Sequence, residues 1–112
     1  MKVIHIINSL GQGGAEHSLL RLVKNSRDKN QYQIISLMKE DFFSKEFEDI
    51  GVKVHYMNMK RGLRLFIPFI KIFRIIARYE PDIVQSWMYH SNIILALLSP
   101  FLRCKIFFVK IR

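Results

Sequence analysis

One cysteine among 112 residues, Cys104, leaves no disulfide framework and no thiolate metal cluster, which points to a reducing compartment and a cytosolic chain. Long hydrophobic runs are absent as well. The longest, "LRLFIPFIKIFRIIA" and "IILALLSPFL", are too short or too often broken by basic residues and proline to supply the ~20 apolar residues of a membrane span. The opening "MKVIHIINSLGQGG" lacks the apolar core of a secretory signal, so no leader is expected. Acidic residues are few, 9 against 18 Lys and Arg, and a net charge of +9 implies an acidic partner such as a nucleotide phosphate or an anionic membrane surface. Nucleic acid ranks lower, because no recognised module is present and the basic residues are spread along amphipathic segments. No repeat, low-complexity tract or linker interrupts the chain. Half of it is hydrophobic and 24% is charged, which excludes a disordered tail and describes one globular domain over 1–112.

What the sequence does have is alternation of strand and helix patterns. "KVIHIIN" (2–8) is a β-branched apolar run that ends at a glycine cluster, as a buried strand does. Residues 14–24 follow with apolar positions at helical spacing. "YQIISLM" (32–38) predicts a second strand, "DFFSKEFEDIG" a short helix closed by Gly51, and "VKVHYMNM" (52–59) a third strand. A long helix is expected from about Leu63 to Tyr79, with Pro68 either kinking it or opening a separate first turn. "PDIVQSW" (81–87), "HSNIILALLSPF" and "KIFFVKI" (105–111) then predict strand, helix and strand. Such alternation implies right-handed crossovers and an α/β, doubly wound parallel sheet of order 3-2-1-4-5, Rossmann-like in class. The last strand has the composition of an interior one, yet no helix or strand follows it. We therefore expect an incomplete unit, and self-association through strand five.

Glycine is scarce, 5 in all, but three fall within "GQGG". In a sheet of this order ligands sit where the strand order reverses, at the carboxyl ends of strands one and four. The loops there are "SLGQGGAE" and "SWMYHSN". Gly11, Gly13 and Gly14 would let the backbone approach a ligand closely, and the helix N-terminus behind them favours an anion. Three readings remain open at this point. A dinucleotide fingerprint has two of its three glycines, but Glu16 stands where the third belongs and would repel a pyrophosphate; Glu40 or Asp41 near strand two could serve as the ribose acid. The glycines could simply cap the helix. Or the loop could serve other nucleotide chemistry. In the second loop, Trp87, Tyr89 and Asn92 lie beside His90 in the expected crevice, and His90 itself reads either as a ligand contact or as a residue that caps helix four or packs beneath it. His5, His17 and His55 read as structural. No two histidines have ligand spacing, so no metal is expected.

"MKVIHIINSLGQGGAEHSLLRLVK" and "PDIVQSWMYHSNIILALLSPFLRCKIFFVKIR" resemble the corresponding segments of the family 4 retaining glycosyltransferases. The resemblance implies the GT-B architecture, two Rossmann-like halves across a cleft, with this chain part of the amino-terminal, acceptor-side half and the carboxyl-terminal donor domain absent from it. It implies transfer of a sugar from a nucleotide sugar to a glycan or lipid-linked acceptor with retention, without a metal or other cofactor. Gly13 and Gly14 would approach the donor's phosphates or sugar, with Gly11 in the same loop, and Glu16 would fix that loop. His90 lies in the family's acceptor-side histidine segment, and Trp87, Tyr89 and Asn92 beside it would bind the acceptor, rings against sugar faces and the amide to hydroxyls. Arg112 stands where many members carry a histidine past strand five. These two become the catalytic candidates. The non-enzymatic alternative is a basic α/β module that binds nucleotide, anionic lipid or a partner chain.

Between 60 and 78 the cations Arg64, Lys71, Arg74 and Arg78 fall in one helical sector of an otherwise Leu, Ile and Phe segment. Such a helix either buries its apolar face on the sheet and leaves its charges in solvent, or, since its apolar content exceeds a single buried stripe, lies on an anionic bilayer at the inner face of the membrane.

Overall fold

The computed structural model describes residues 2–11, 13–58, 66–87, 89–102 and 105–109, with backbone alone for 29, 66–68, 89, 90, 105 and 107–109. Five strands, β1 (Val3–Ile7), β2 (Tyr32–Ser36), β3 (Lys53–Tyr56), β4 (Ile83–Trp87) and β5 (Lys105–Val109), form one sheet. Every pairing is parallel, and the order is β3-β2-β1-β4-β5. The helices are α1 (Gly14–Lys24), α2 (Ser44–Asp49), α3 (Phe66–Tyr79) and α4 (Tyr89–Leu98), with 3-10 turns at Lys29–Gln31 and Ser99–Phe101.

The central strands are apolar on both faces because both are covered. Alternate residues divide between two cores. Ile7, Ile34 and Trp87 meet α1 and α2 through Leu19, Leu20, Val23 and Phe47. Ile4, Ile6, Ile35 and Val84 meet α3 and α4 through Ile72, Ile76, Leu95 and Leu98. This sidedness follows from the crossovers. α1 and α2 step the chain outward from β1 to β3, whereas α3 carries it back past β2 and β1 to β4, so right-handed connections put the two pairs on opposite faces.

Local chemistry sets the element ends. α1 has Glu16 in its first turn and Arg21 and Lys24 in its last, each matched to the sign of the helix dipole. α2 starts at Ser44 rather than at 41, because Asp41 and Ser44 close a turn on each other: the Asp41 N–H donates to Ser44 Oγ (2.8 Å) and the Ser44 N–H to the Asp41 carbonyl (3.0 Å). Its end is a Schellman motif, with Gly51 at φ +88°. Pro68 falls in the first turn of α3, where a missing N–H leaves no bond unmade. The expected start of that helix near Leu63, together with Arg64 and Cys104, lies outside the described residues.

Candidate site at the β1 and β4 carboxyl ends

Strand order reverses between β1 and β4, so the loops leaving them part and open a crevice at the carboxyl edge. Asn8, the first residue past β1, ties the two sides together. Its Oδ1 accepts from both the Ser91 N–H (2.9 Å) and the Ser91 hydroxyl (2.7 Å), so a side chain of the first loop caps the first turn of α4. Ser86 at the end of β4 donates its hydroxyl to Asn92 Oδ1. Ser86 and Ser91 are fully buried. The first turn of α4, which includes His90, is therefore held rigidly against the end of β1.

The glycine loop is fastened on its other side too. The Leu10 carbonyl accepts from the Phe43 N–H (2.8 Å), and Ile7 and Asn8 carbonyls accept from Leu37 (3.0 Å) and Met38 (3.1 Å). Gly13 is the N-cap of α1 with an extended backbone (φ −134°, ψ 176°). Its lack of a side chain serves space rather than torsional freedom. A Cβ there would lie 2.9 Å from both carboxylate oxygens of Glu16, which is buried and folds back over the glycine. At Gly11 a Cβ would meet Asp41 Oδ2 at 3.3 Å and Glu16 Oε2 at 3.6 Å. Two carboxylates thus converge on Gly11, and the expectation that all three glycines form an open phosphate cradle needs correction. Acceptor oxygens cover Gly11 and Gly13, whereas a Cβ on Gly14 would have nothing within 4 Å. Among the described residues, no hydrogen bond or ion pair engages the Glu16 carboxylate. The first helical N–H taken inside α1 is that of His17, donated to the Gly13 carbonyl (3.1 Å), so the N–H groups of Gly14 and Ala15 lie ahead of the internal ladder.

Trp87, expected from the sequence to stack on an acceptor sugar, is instead a core residue. It is 8% exposed, packs with Ile7 and Leu10, and donates its indole N–H to His5 Nδ1 (3.1 Å). Position 87 lies on the same face of the sheet as His5, the one covered by α1 and α2. His5 is fully enclosed, stacked on Tyr32 at 5.6 Å, and burial lowers its pKa from 6.5 to about 4. His17 meets the ring of Phe43 edge-on, and His55 shares a 2.9 Å hydrogen bond with Gln33 Oε1. Asn92 is in place but engaged by Ser86. Arg112 and the side chains of Tyr89 and His90 lie outside the described residues. The sequence does not single out Asn8, and it offers Asp41 only as a candidate ribose acid, not as a neighbour of the glycine loop. Asn8 was legible only as the polar residue ending an apolar strand, and the approach of Asp41 to Gly11 depends on how the β2–α2 connection folds back.

No family model matches the chain. Over 100 residues it is 25% identical to the capsular polysaccharide biosynthesis glycosyltransferase CapH of Staphylococcus aureus, a match that covers 88% of this chain and 27% of that protein. The crystal structure of Anabaena HepE in complex with UDP shares the Rossmann-like fold, with a TM-score of 0.77 at 19% identity, over 96% of this chain and 29% of that one. The chain thus spans little more than a quarter of the length of either.

Proposed function

We propose that this chain is part of the amino-terminal, acceptor-side half of a GT-B glycosyltransferase of family 4 type, working on a nucleotide sugar with retention of configuration. The observation that carries the reading is the 100-residue similarity to a capsular polysaccharide glycosyltransferase, which covers 88% of this chain. HepE was crystallised with UDP, which favours a uridine diphosphate sugar as donor. The acceptor is then a growing glycan, free or lipid-linked.

In this reading the loop divides its labour. Glu16 fills the space over Gly13 and fixes the loop, and with Asp41 it accepts hydrogen bonds from sugar hydroxyls. Their negative charge steers a phosphate away from Gly11 and towards the open side at Gly14, where the first-turn N–H groups and the dipole favour an anion. His90, whose backbone lies in the turn that Asn8 holds, is the acceptor-side histidine of this reading, and the donor's base and ribose belong to the second half of the cleft. The 112-residue chain on its own transfers no sugar.

Titration of the isotope-labelled chain with UDP tests the placement. Amide shifts are expected at 11–16 and 91–92, and a Gly14→Val variant should lose them while keeping its fold, since the free protein leaves room for the added atoms. Shifts confined to the opposite edge, undiminished binding in the variant, or sugar transfer by the chain alone would sink the reading.

A further inference from the structure

Away from the crevice, the face built by α3 and α4 carries an apolar surface that neither core absorbs. α3 buries Ile72 and Ile76 and leaves Ile70, Lys71, Phe73, Arg74, Ala77 and Arg78 in solvent. Steps of three and four sort these six into two neighbouring stripes, one apolar (Ile70, Phe73, Ala77) and one cationic (Lys71, Arg74, Arg78). The apolar stripe borders a groove of about 340 Å³ whose other wall is Phe101 and Leu102, with Glu80 and Pro81 at its end. Phe101 is 67% exposed, and α4 on the same side of the sheet also exposes Leu97 (60%) and Ile93 (43%). Single exposed apolar residues are ordinary, but a group of this size on adjoining elements marks an interaction surface.

We propose that this face docks on an anionic lipid bilayer. Charge decides for that occupant. The cations run along one edge of the apolar stripe, long enough to reach lipid phosphates while the rings enter the boundary between headgroups and acyl chains. Lys2 adds a further positive charge at the end of α3, where its Nζ donates to the Tyr79 carbonyl (3.1 Å). The nearby acids are Asp28, Glu80 and Asp82; Asp28 accepts from the Asn30 N–H (3.0 Å) and Asp82 from the Lys2 backbone N–H (2.8 Å). The chain as a whole carries +9. Among the described residues no helix is long and apolar enough to cross a membrane, so the contact is one of lying on the surface. The inference stands whether or not the crevice binds a nucleotide sugar.

Cosedimentation of the chain with vesicles of phosphatidylcholine, alone or mixed with phosphatidylglycerol, tests it. Binding is expected to the mixed vesicles and to weaken with salt. Replacing Lys71, Arg74 and Arg78 together by glutamine should lower the partition coefficient by roughly a hundredfold, at about one kcal/mol per cation near the surface. Phe73→Ser with Phe101→Ser should also weaken binding while preserving its salt dependence. All five positions are exposed, and circular dichroism would verify the fold. Equal binding to neutral vesicles, undiminished binding in either variant, or a dimer abolished by the double serine variant without any vesicle binding would overturn it.

Discussion

His5 shows how a single residue couples pH to the fold. Its Nδ1 accepts the Trp87 indole N–H, which places the ring proton on Nε2, and that atom is buried with no partner among the described residues. A second proton could enter only at Nδ1, against the indole donor, so the enclosed ring resists charging and titrates near 4. Between pH 6.5 and 4 the unfolded chain therefore binds a proton that the folded chain refuses, and stability falls as pH falls through that window. The loss should reach roughly 2 kcal/mol at pH 5 and grow towards pH 4. His55, lowered first by burial and then by Lys53, acts in the same direction. Urea unfolding at pH 7.5 and pH 5 would measure the loss, and His5→Gln, which keeps an acceptor for Trp87, should flatten most of it. None of this was visible in "KVIHIIN", where His5 read as structural without a reason. Trp87 misled for a related cause: the end of strand four was legible, but which face of the sheet its last residue takes depends on the register Ile7↔Trp87.

At the scale of the element, Gly51 is the position where conformation alone decides the residue. The Val52 N–H donates to the Phe47 carbonyl (3.3 Å) and the Gly51 N–H to the Glu48 carbonyl (3.0 Å), closing α2 with Phe47 and Val52 in one core. Gly51 sits at φ +88° with open space where a Cβ would go, so substitution there costs torsional strain and no clash. Gly51→Ala should destabilise the fold by about 1–2 kcal/mol, and Gly51→Asn by less. Thermal unfolding should show a lowering of roughly 4–8 °C per kcal/mol for a domain of this size. Gly51 as a helix stop was readable from the sequence, as was α1, because a cap and an apolar stripe are local signals. The start of α2 was not. Asp41 could open a helix by its residue type, and only the reciprocal bonds with Ser44 show that it closes a turn instead.

At the scale of the whole molecule, β5 pairs with β4, and no described strand lies on its other side. An edge of this kind is a template for another chain. Sedimentation velocity should therefore show concentration-dependent association that survives Phe73→Ser and Phe101→Ser, because those side chains lie on the helical face rather than the sheet edge. A clean monomer at high concentration would mean that the edge is covered. The radius of gyration, 12.9 Å, matches the ~13 Å of a compact domain of this length, although the chain spans only about a quarter of CapH and HepE. Alternating apolar runs and amphipathic segments determined the α/β class, and the parallel sheet and its crevice followed from general rules of handedness and connection. Those are consequences of periodicity and chain chirality, which every stretch of sequence carries locally. What only the tertiary structure decided are the contacts between distant segments: Asn8 capping α4 across 83 positions, Glu16 and Asp41 closing over the glycines, and Trp87 turning inward to His5. Each depends on which two surfaces meet, and a one-dimensional pattern does not contain that distance.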